Sequence, residues 1–266
     1  MNSASKISAN GIEVNYEIHG KEGAPWLVLS HSLACSVRMW DPQIAALKDQ
    51  YRILAYDTRG HGASEAPAGA YTLEMLAVDL HDLLKNLNIS TPHFCGLSMG
   101  GMIGQTFALK YPGVFRTLTL ADTTSRYPAE AAPVWAERVR TAEAKGMEPL
   151  VQGTLERWFT EPFRKNNPAA VDAIRKLIVA TPVAGYAGCC HALPKINVSA
   201  RLKEIKCPIL VIVGADDPGT PVAMAKEIHD NAPGSKLVVL PQAAHLANLE
   251  QPAGFTRALR DFLASN

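Results

Sequence analysis

The chain has 266 residues, of which 47% are hydrophobic and 19% are charged, which suits a globular protein with one large α/β domain or one core with a modest insertion. Its 26 basic and 25 acidic residues leave a formal net charge of +1, so charge gives no reason to expect nucleic acid or a membrane surface as a partner. The five cysteines form no CxxC pair, which argues against a disulfide framework or a zinc site.

The N-terminal ten residues are polar and lack the apolar centre of a signal peptide. No apolar run approaches the roughly 18 to 20 residues that are needed to span a bilayer. We therefore predict a cytoplasmic protein without membrane contacts, and the sequence leaves its oligomeric state open.

Short apolar runs alternate with helical patterns along most of the chain. Residues 12–18 alternate apolar and polar side chains, which predicts an antiparallel edge hairpin. Buried strands are predicted at residues 26–29, 52–56, 92–97, 116–120, 208–213 and 236–240. Helices are predicted at residues 73–87, 99–110, 222–231 and 253–263. Alternating strands and helices favour a mostly parallel sheet that helices cover on both faces.

Residues 123–199 break this alternation, because they contain no convincing strand and their helix-like segments are interrupted by prolines. The interval is too long for a structureless loop. We predict a helical insertion at 123–199, between two parts of an α/β core at residues 1–122 and 200–266.

A G-x-S-x-G pentapeptide, residues 96–100, lies where a predicted strand meets a predicted helix. A sharp turn there lifts the hydroxyl of Ser98 above the sheet edge, and the glycines remove Cβ atoms that would clash with the strand and the helix. The alternative is a plain glycine-rich turn. The strand-turn-helix context favours a nucleophile, and we predict that Ser98 has this role.

A serine nucleophile needs a general base, and a carboxylate that orients the base. In a strand-turn-helix site of this kind the chain order is serine, acid, histidine. Of the eight histidines, only His229 and His245 follow the strand at 208–213, and His229 falls inside a predicted helix. His245 follows the strand at 236–240, at the sheet edge where ligands bind, so we predict that it is the base.

The acid is expected in the loop after the strand at 208–213, where Asp216 and Asp217 are adjacent. The loop has the form G-x-x-D with Pro221 four residues later, and in that frame Asp217 is the acid. Asp216 is the alternative, and either aspartate is also suited to capping the next helix.

An oxyanion hole needs two backbone N–H groups aimed at the developing negative charge. We predict Met99, the residue after the nucleophile, as one donor. Leu33, in the loop after the strand at 26–29, is the preferred second donor, with Ser32 next. His31 and His61 are predicted to hold loops by packing and hydrogen bonds.

Five segments together resemble the α/β-hydrolase superfamily and cover essentially the whole core in the right order. They are His31-Ser32-Leu33, residues 57–64, residues 96–101, residues 214–221 and His245. Within the superfamily the sequence most resembles the 3-oxoadipate enol-lactonases of the β-ketoadipate pathway of aromatic catabolism. His-Ser in place of the usual His-Gly, Asp-Thr-Arg-Gly-His-Gly-Ala-Ser and Gly-Ala-Asp-Asp-Pro-Gly-Thr-Pro carry this resemblance, much of which related esterases share.

The resemblance implies an eight-stranded sheet with a helical cap after the sixth strand. It also implies a serine esterase that opens a five-membered enol-lactone ring carrying a free carboxylate, without cofactor or metal. Trp135 and Arg138 are three residues apart and share a helix face, where they are suited to pack on the ring and bind the carboxylate. Arg126 is a further candidate. Alternatively, Trp135 is cap core and Arg138 a solvated side chain.

Two other functions stay open at this point. The first is a general carboxylesterase or a carbon–carbon bond hydrolase with the same catalytic residues, which would prefer substrates other than an anionic lactone. The second is a non-catalytic receptor for a small molecule, since a fold does not fix a function.

Overall fold

The computed structural model describes residues 5–266, and its centre is an eight-stranded sheet. The strands are β1 (Ser5–Ala9), β2 (Ile12–His19), β3 (Trp26–Ser30), β4 (Arg52–Tyr56), β5 (His93–Leu97), β6 (Thr117–Ala121), β7 (Ile209–Gly214) and β8 (Lys236–Leu240). Their order across the sheet is β1-β2-β4-β3-β5-β6-β7-β8. β2 pairs antiparallel with β1 and β4, and all other pairs are parallel. The predicted mostly parallel sheet with an antiparallel edge hairpin is confirmed.

Eleven α-helices accompany the sheet in the described part of the chain. They are α1 (Asp41–Leu47), α2 (Leu73–Asn86), α3 (Met99–Lys110), α4 (Ala131–Lys145), α5 (Glu148–Trp158), α6 (Glu161–Asn166), α7 (Pro168–Ala180), α8 (Val183–Ala192), α9 (Val222–Asn231), α10 (Ala247–Glu250) and α11 (Pro252–Ala264). α2 follows the predicted leucine spacing, and its N-terminus is capped by the Thr72 hydroxyl, which accepts from the backbone N–H of Met75 at 3.0 Å. The short helices α1 and α10 were not predicted.

Helices α4 to α8 all lie between β6 and β7, which confirms a helical cap after the sixth strand. We call residues 123–199 the cap segment. The division into a separate core domain and cap domain stays a prediction, and residues 1–4 of that core lie outside the described residues. Within residues 5–266 no single helix has the length and apolar character to cross a bilayer, although Pro168–Ala180 and Val183–Lys195 meet those criteria as a pair bent by 91°.

The central strands β5, β6 and β7 are buried along their whole length. They run parallel with β3 and β8, so the carboxyl ends of these five strands meet at one edge of the sheet. The loops that leave this edge carry the residues predicted from the sequence to be catalytic. Open α/β sheets bind their ligands at this edge.

Candidate active site

Ser98 occupies a strained turn between β5 and α3, with φ 54° and ψ −112°. A positive φ is uncommon for a residue with a side chain. A Cβ at Gly96 would overlap the backbone of Gly100, and a Cβ at Gly100 would overlap the carbonyl of Ser30. The Thr123 hydroxyl donates to the carbonyl oxygen of Ser98 at 2.7 Å and supports the turn from the cap segment. The two glycines are therefore required by close backbone contacts.

His245 and Asp217 form a buried pair, with 2.8 Å between Nδ1 and Oδ2. The turn after Asp217 supplies three more donors to this carboxylate: the N–H groups of Gly219 at 2.7 Å and Thr220 at 3.0 Å, and the Thr220 hydroxyl at 2.6 Å. Burial raises the pKa of Asp217, but the charge of His245 and these hydrogen bonds outweigh it, so the pKa is below its ordinary value. Asp216 lines a different groove, and Asp217 is the aspartate beside the imidazole.

Ser98 and His245 line the same cavity, which has a volume of about 240 Å³. Core loops form its floor, and side chains of the cap segment form its walls. The structure thus brings Ser98, His245, Leu33, Trp135 and Arg138 to one cavity, with Asp217 behind the imidazole.

Among residues 32–34, only the Leu33 backbone N–H donates no hydrogen bond within residues 5–266. The N–H of Ser32 donates to a methionine sulfur at 3.3 Å, and that of Ala34 to Nε2 of His61 at 3.0 Å. Met99 is the first residue of α3, where a backbone N–H has no acceptor within the helix. The N–H groups of Leu33 and Met99 are therefore suited to hold an oxyanion, and Leu33 is favoured over Ser32.

His31 and His61 fix the loop that carries Leu33. His31 accepts from the backbone N–H of Thr58 at 2.9 Å through Nε2, so its Nδ1 carries the proton and donates to the Ser32 carbonyl at 2.7 Å. His61 likewise accepts through Nε2, from Ala34. Burial lowers the pKa of His31 to about 4 and that of His61 to about 3. Both imidazoles are neutral at pH 7 and hold the backbone around the predicted oxyanion hole.

Two arginines of the cap segment reach the cavity, and within the described residues neither is paired with a carboxylate. The Arg138 guanidinium lies over the ring of Trp135, 4.5 Å from its centre, and Nη2 of Arg157 donates to the Thr154 hydroxyl at 3.2 Å. Burial, and then the positive charge of Arg138, lower the pKa of Arg157. No aspartate or glutamate is among the described residues that line the cavity, so its local charge is positive.

Arg126, the third predicted substrate-binding residue, does not line this cavity. Its exposed guanidinium forms an ion pair with Glu227 at 3.1 Å, and its backbone forms a β-bridge with Asn197. Its position soon after β6 suggested proximity to the site, but a partner 101 residues away in sequence holds it elsewhere. Arg157 was not singled out from the sequence, because the face that α5 turns to the cavity depends on how the cap helices pack.

The described residues contain no group of three or more histidine, cysteine, aspartate or glutamate side chains that is placed to hold a metal ion. All five cysteines are free thiols, four of them buried. The chemical groups that line the cavity include the Ser98 hydroxyl, the His245 imidazole and the guanidinium groups of Arg138 and Arg157.

The carboxyl edge of this sheet brings together a serine in a strained turn, an imidazole–carboxylate pair and two available backbone N–H groups. Serine hydrolases use an arrangement of this kind. Residues 25–252 match the family model of the α/β hydrolase fold, and the chain belongs to that family. It is 37% identical over 253 residues to 3-oxoadipate enol-lactonase 2 of Acinetobacter baylyi, an alignment that covers 95% of this chain and 94% of that one.

The crystal structure of the enol-lactonase from Burkholderia xenovorans LB400 is similar, with a TM-score of 0.94, 38% identity, and coverage of 98% of this chain and 100% of that chain. The resemblance to enol-lactonases expected from the motifs is therefore confirmed. RutD of Stutzerimonas stutzeri, which is provisionally named a carbamate hydrolase, is 32% identical over 257 residues, covering 94% of this chain and 97% of RutD.

Proposed function

We propose that this protein is a carboxylic-ester hydrolase that opens the ring of 3-oxoadipate enol-lactone to give 3-oxoadipate, in the β-ketoadipate pathway of aromatic catabolism. The observation that carries the proposal is the pair of arginines, Arg138 and Arg157, in a cavity that also contains Ser98 and is lined by no described carboxylate. The similarity to two enol-lactonases supports the same substrate.

In the first half-reaction His245 removes the proton of the Ser98 hydroxyl, and Oγ attacks the lactone carbonyl carbon. The N–H groups of Leu33 and Met99 stabilise the oxyanion. The bond between the carbonyl carbon and the ring oxygen then breaks, and the imidazolium of His245 returns its proton to that oxygen. The leaving group is an enol, which needs less acid assistance than an alkoxide and relaxes to the ketone.

In the second half-reaction His245 removes a proton from water, and the hydroxide attacks the acyl-enzyme carbonyl. Ser98 leaves and takes the proton back from the imidazolium. Asp217 stays ionised throughout, orients the imidazole through Nδ1 and stabilises its positive charge. One water is consumed, and the product carries one carboxylate more than the lactone.

The lactone differs from a simple ester in its free carboxylate, and Arg138 and Arg157 are suited to bind that group. The positive charges of these two guanidinium groups repel each other, so both gain from an anion placed between them. Trp135 forms the wall beside Arg138 on which the five-membered ring would pack. The distance between this anion site and Ser98 then selects the length of the acid side chain.

The test measures kcat/KM for 3-oxoadipate enol-lactone and for a neutral aryl ester with the wild type, Ser98→Ala, Arg138→Gln and Arg157→Gln. Ser98→Ala is expected to lower turnover of both substrates by roughly 10⁴-fold or more. Each arginine variant is expected to lower kcat/KM for the lactone by about 10- to 100-fold, because a charged hydrogen bond is lost, and to leave the ester nearly unchanged.

Arg140→Gln is the matched control, since Arg140 is exposed on α4 and pairs with Glu137 outside the cavity. Equal losses on lactone and ester in the arginine variants would contradict the anion site. A wild type that favours the neutral ester would identify a general carboxylesterase, and failure of a fluorophosphonate to label Ser98 would identify a binding protein.

A further inference from the structure

The backbone on both sides of His245 is hydrogen-bonded to groups outside its own loop. The N–H of Ala244 donates to Oε2 of Glu250, and the N–H of Leu246 donates to the carbonyl of Trp158 in the cap segment at 3.1 Å. The predicted base therefore has one anchor on α10 and another on the C-terminal end of α5.

Glu250 also reaches the cap segment directly. Its Oε1 accepts from both the backbone N–H of Thr160, at 2.9 Å, and the Thr160 hydroxyl, at 2.7 Å. The same hydroxyl accepts from the N–H of Phe163 at 3.4 Å, so its proton is directed to Glu250. Glu250 itself is only 8% exposed. One buried carboxylate thus joins the loop that carries His245 to the junction between α5 and α6.

The C-terminal end of α5, directly before that junction, lines the proposed substrate cavity. Arg157 and Trp158 line it, and the Trp158 ring lies 6.2 Å from the imidazole of His245, tilted by 31°. Trp158, in the wall of the cavity, and His245, the proposed base, therefore belong to one hydrogen-bonded network, and Glu250 lies at its centre.

We propose that Glu250 is a positioning residue, which fixes the loop of His245 to the cap segment and so sets the separation between the general base and the cap wall of the cavity. The proposal rests on the proposed role of His245 but not on the identity of the substrate. The hydrolysis rate of any ester that Ser98 attacks can therefore test this positioning role.

A glutamine at position 250 does not replace this carboxylate, because three donors face it. A carboxamide oxygen serves one side only, and its NH₂ group then meets an N–H on the other side. Glu250→Gln is expected to lower kcat per active site for 4-nitrophenyl acetate by about 10- to 100-fold, as a small displacement of a catalytic group does. Active sites are counted by fluorophosphonate labelling, so that unfolded protein does not enter the rate.

A spectroscopic readout separates positioning from a structural role. The Nδ1 proton between His245 and Asp217 is expected far downfield in the proton NMR spectrum of the wild type, and Glu250→Gln is expected to shift or broaden this resonance. Glu161→Gln is the matched control, because Glu161 is exposed on α6 and pairs with Lys165. It is expected to leave rate and resonance unchanged.

Thr160 provides a second, milder test that keeps the carboxylate in place. Thr160→Val removes the hydroxyl donor and is expected to lower kcat severalfold, whereas Thr160→Ser keeps the donor and is expected to match the wild type. Wild-type kcat and an unshifted resonance in Glu250→Gln would overturn the proposal, as would equal rates for Thr160→Val and Thr160→Ser if the glutamine variant does not fold. Retained activity in Ser98→Ala or His245→Ala would instead overturn the proposed catalytic residues.

Discussion

At the scale of single residues, the position of the Ser98 hydroxyl depends on backbone atoms that approach too closely for any side chain. The φ of 54° at Ser98 carries a local conformational cost of order 1–3 kcal/mol, which the surrounding contacts must offset. Gly100 lies against the carbonyl of Ser30 and Gly96 against Gly100 itself, so neither position has room for a Cβ. The serine is held in a strained conformation by packing of main chain on main chain.

Gly100→Ala is expected to destabilise the fold by about 1–3 kcal/mol, since the new methyl group overlaps the Ser30 carbonyl and α3 must shift to admit it. Because the shift moves Ser98 and Met99 together, kcat is expected to fall as well. Urea unfolding gives the stability and turnover of a neutral ester gives the rate.

Gly254→Ala is the control for this substitution. In α11 the added Cβ would lie 3.4 Å from a side-chain carbon of Leu240, an ordinary contact, and the helix should gain up to about 1 kcal/mol. Equal stability changes at the two positions would show that the close contact at Gly100 does not constrain the turn at Ser98.

The residues that the sequence identified are those fixed by local pattern. Ser98 follows a buried strand within a short glycine motif, and His245 follows the last strand, so both positions can be read without tertiary information. The spacing of Trp135 and Arg138 was enough to place them together on α4, and both reach the cavity. Arg157 was not distinguished from the other arginines of the cap segment, because its position in the cavity depends on packing between α5 and its neighbours.

At the scale of elements, the central strands and the long core helices followed from apolar periodicity, but the loops that build the site are organised by contacts distant in sequence. The loop of Leu33 is held by two imidazoles, and one of them, His61, lies 27 residues from its partner Ala34. The sequence suggested that His31 and His61 hold loops, but not which backbone groups they bind. Those pairings require the two loops to meet at the sheet edge.

His61→Phe tests whether the imidazole of His61 positions the loop of residues 32–34. The substitution keeps a ring of similar shape but leaves the N–H of Ala34 without its acceptor, so residues 32–34 are expected to move. A misplaced oxyanion donor is expected to lower kcat by about tenfold or more, up to the roughly 10²- to 10³-fold effect of removing one donor outright. Turnover of a neutral ester is measured together with the melting temperature.

His191→Gln is the comparison, since His191 is exposed at the end of α8 and does not line the cavity. If His61→Phe keeps the wild-type kcat while its melting temperature falls, the imidazole supports the fold but does not place the oxyanion donor.

At the scale of the whole molecule, buried ionisable groups make stability depend on pH in two opposing ways. Burial lowers the pKa of His31, His61 and His93 to about 4, 3 and 4, from an ordinary 6.5. Burial also raises the pKa of two carboxyl groups near the site, Asp122 and Glu250. Acidification therefore lowers the free energy of unfolding through the imidazoles and raises it through these two carboxyl groups.

The imidazole contribution has a definite sign and pH range. Below pH 6.5 the unfolded chain binds protons at these three histidines while the folded chain does not, so the free energy of unfolding falls as pH drops from about 6.5 toward about 4. Each histidine contributes up to about 1.4 kcal/mol per pH unit in that range. The carboxyl groups act in the opposite direction, so the total slope alone does not isolate the histidines.

His93→Gln isolates one of them by difference. His93 lies at the start of β5, far along the strand from Ser98, and its ring contacts Thr117 at 2.8 Å through Nδ1. Because Asp122 and Glu250 are unchanged in the variant, their contribution cancels when the two proteins are compared. Urea unfolding at pH 7, 6 and 5 is expected to show a shallower loss of stability in the variant, by up to about 1.4 kcal/mol per pH unit. Parallel curves for the two proteins would mean that His93 binds its proton equally well folded and unfolded.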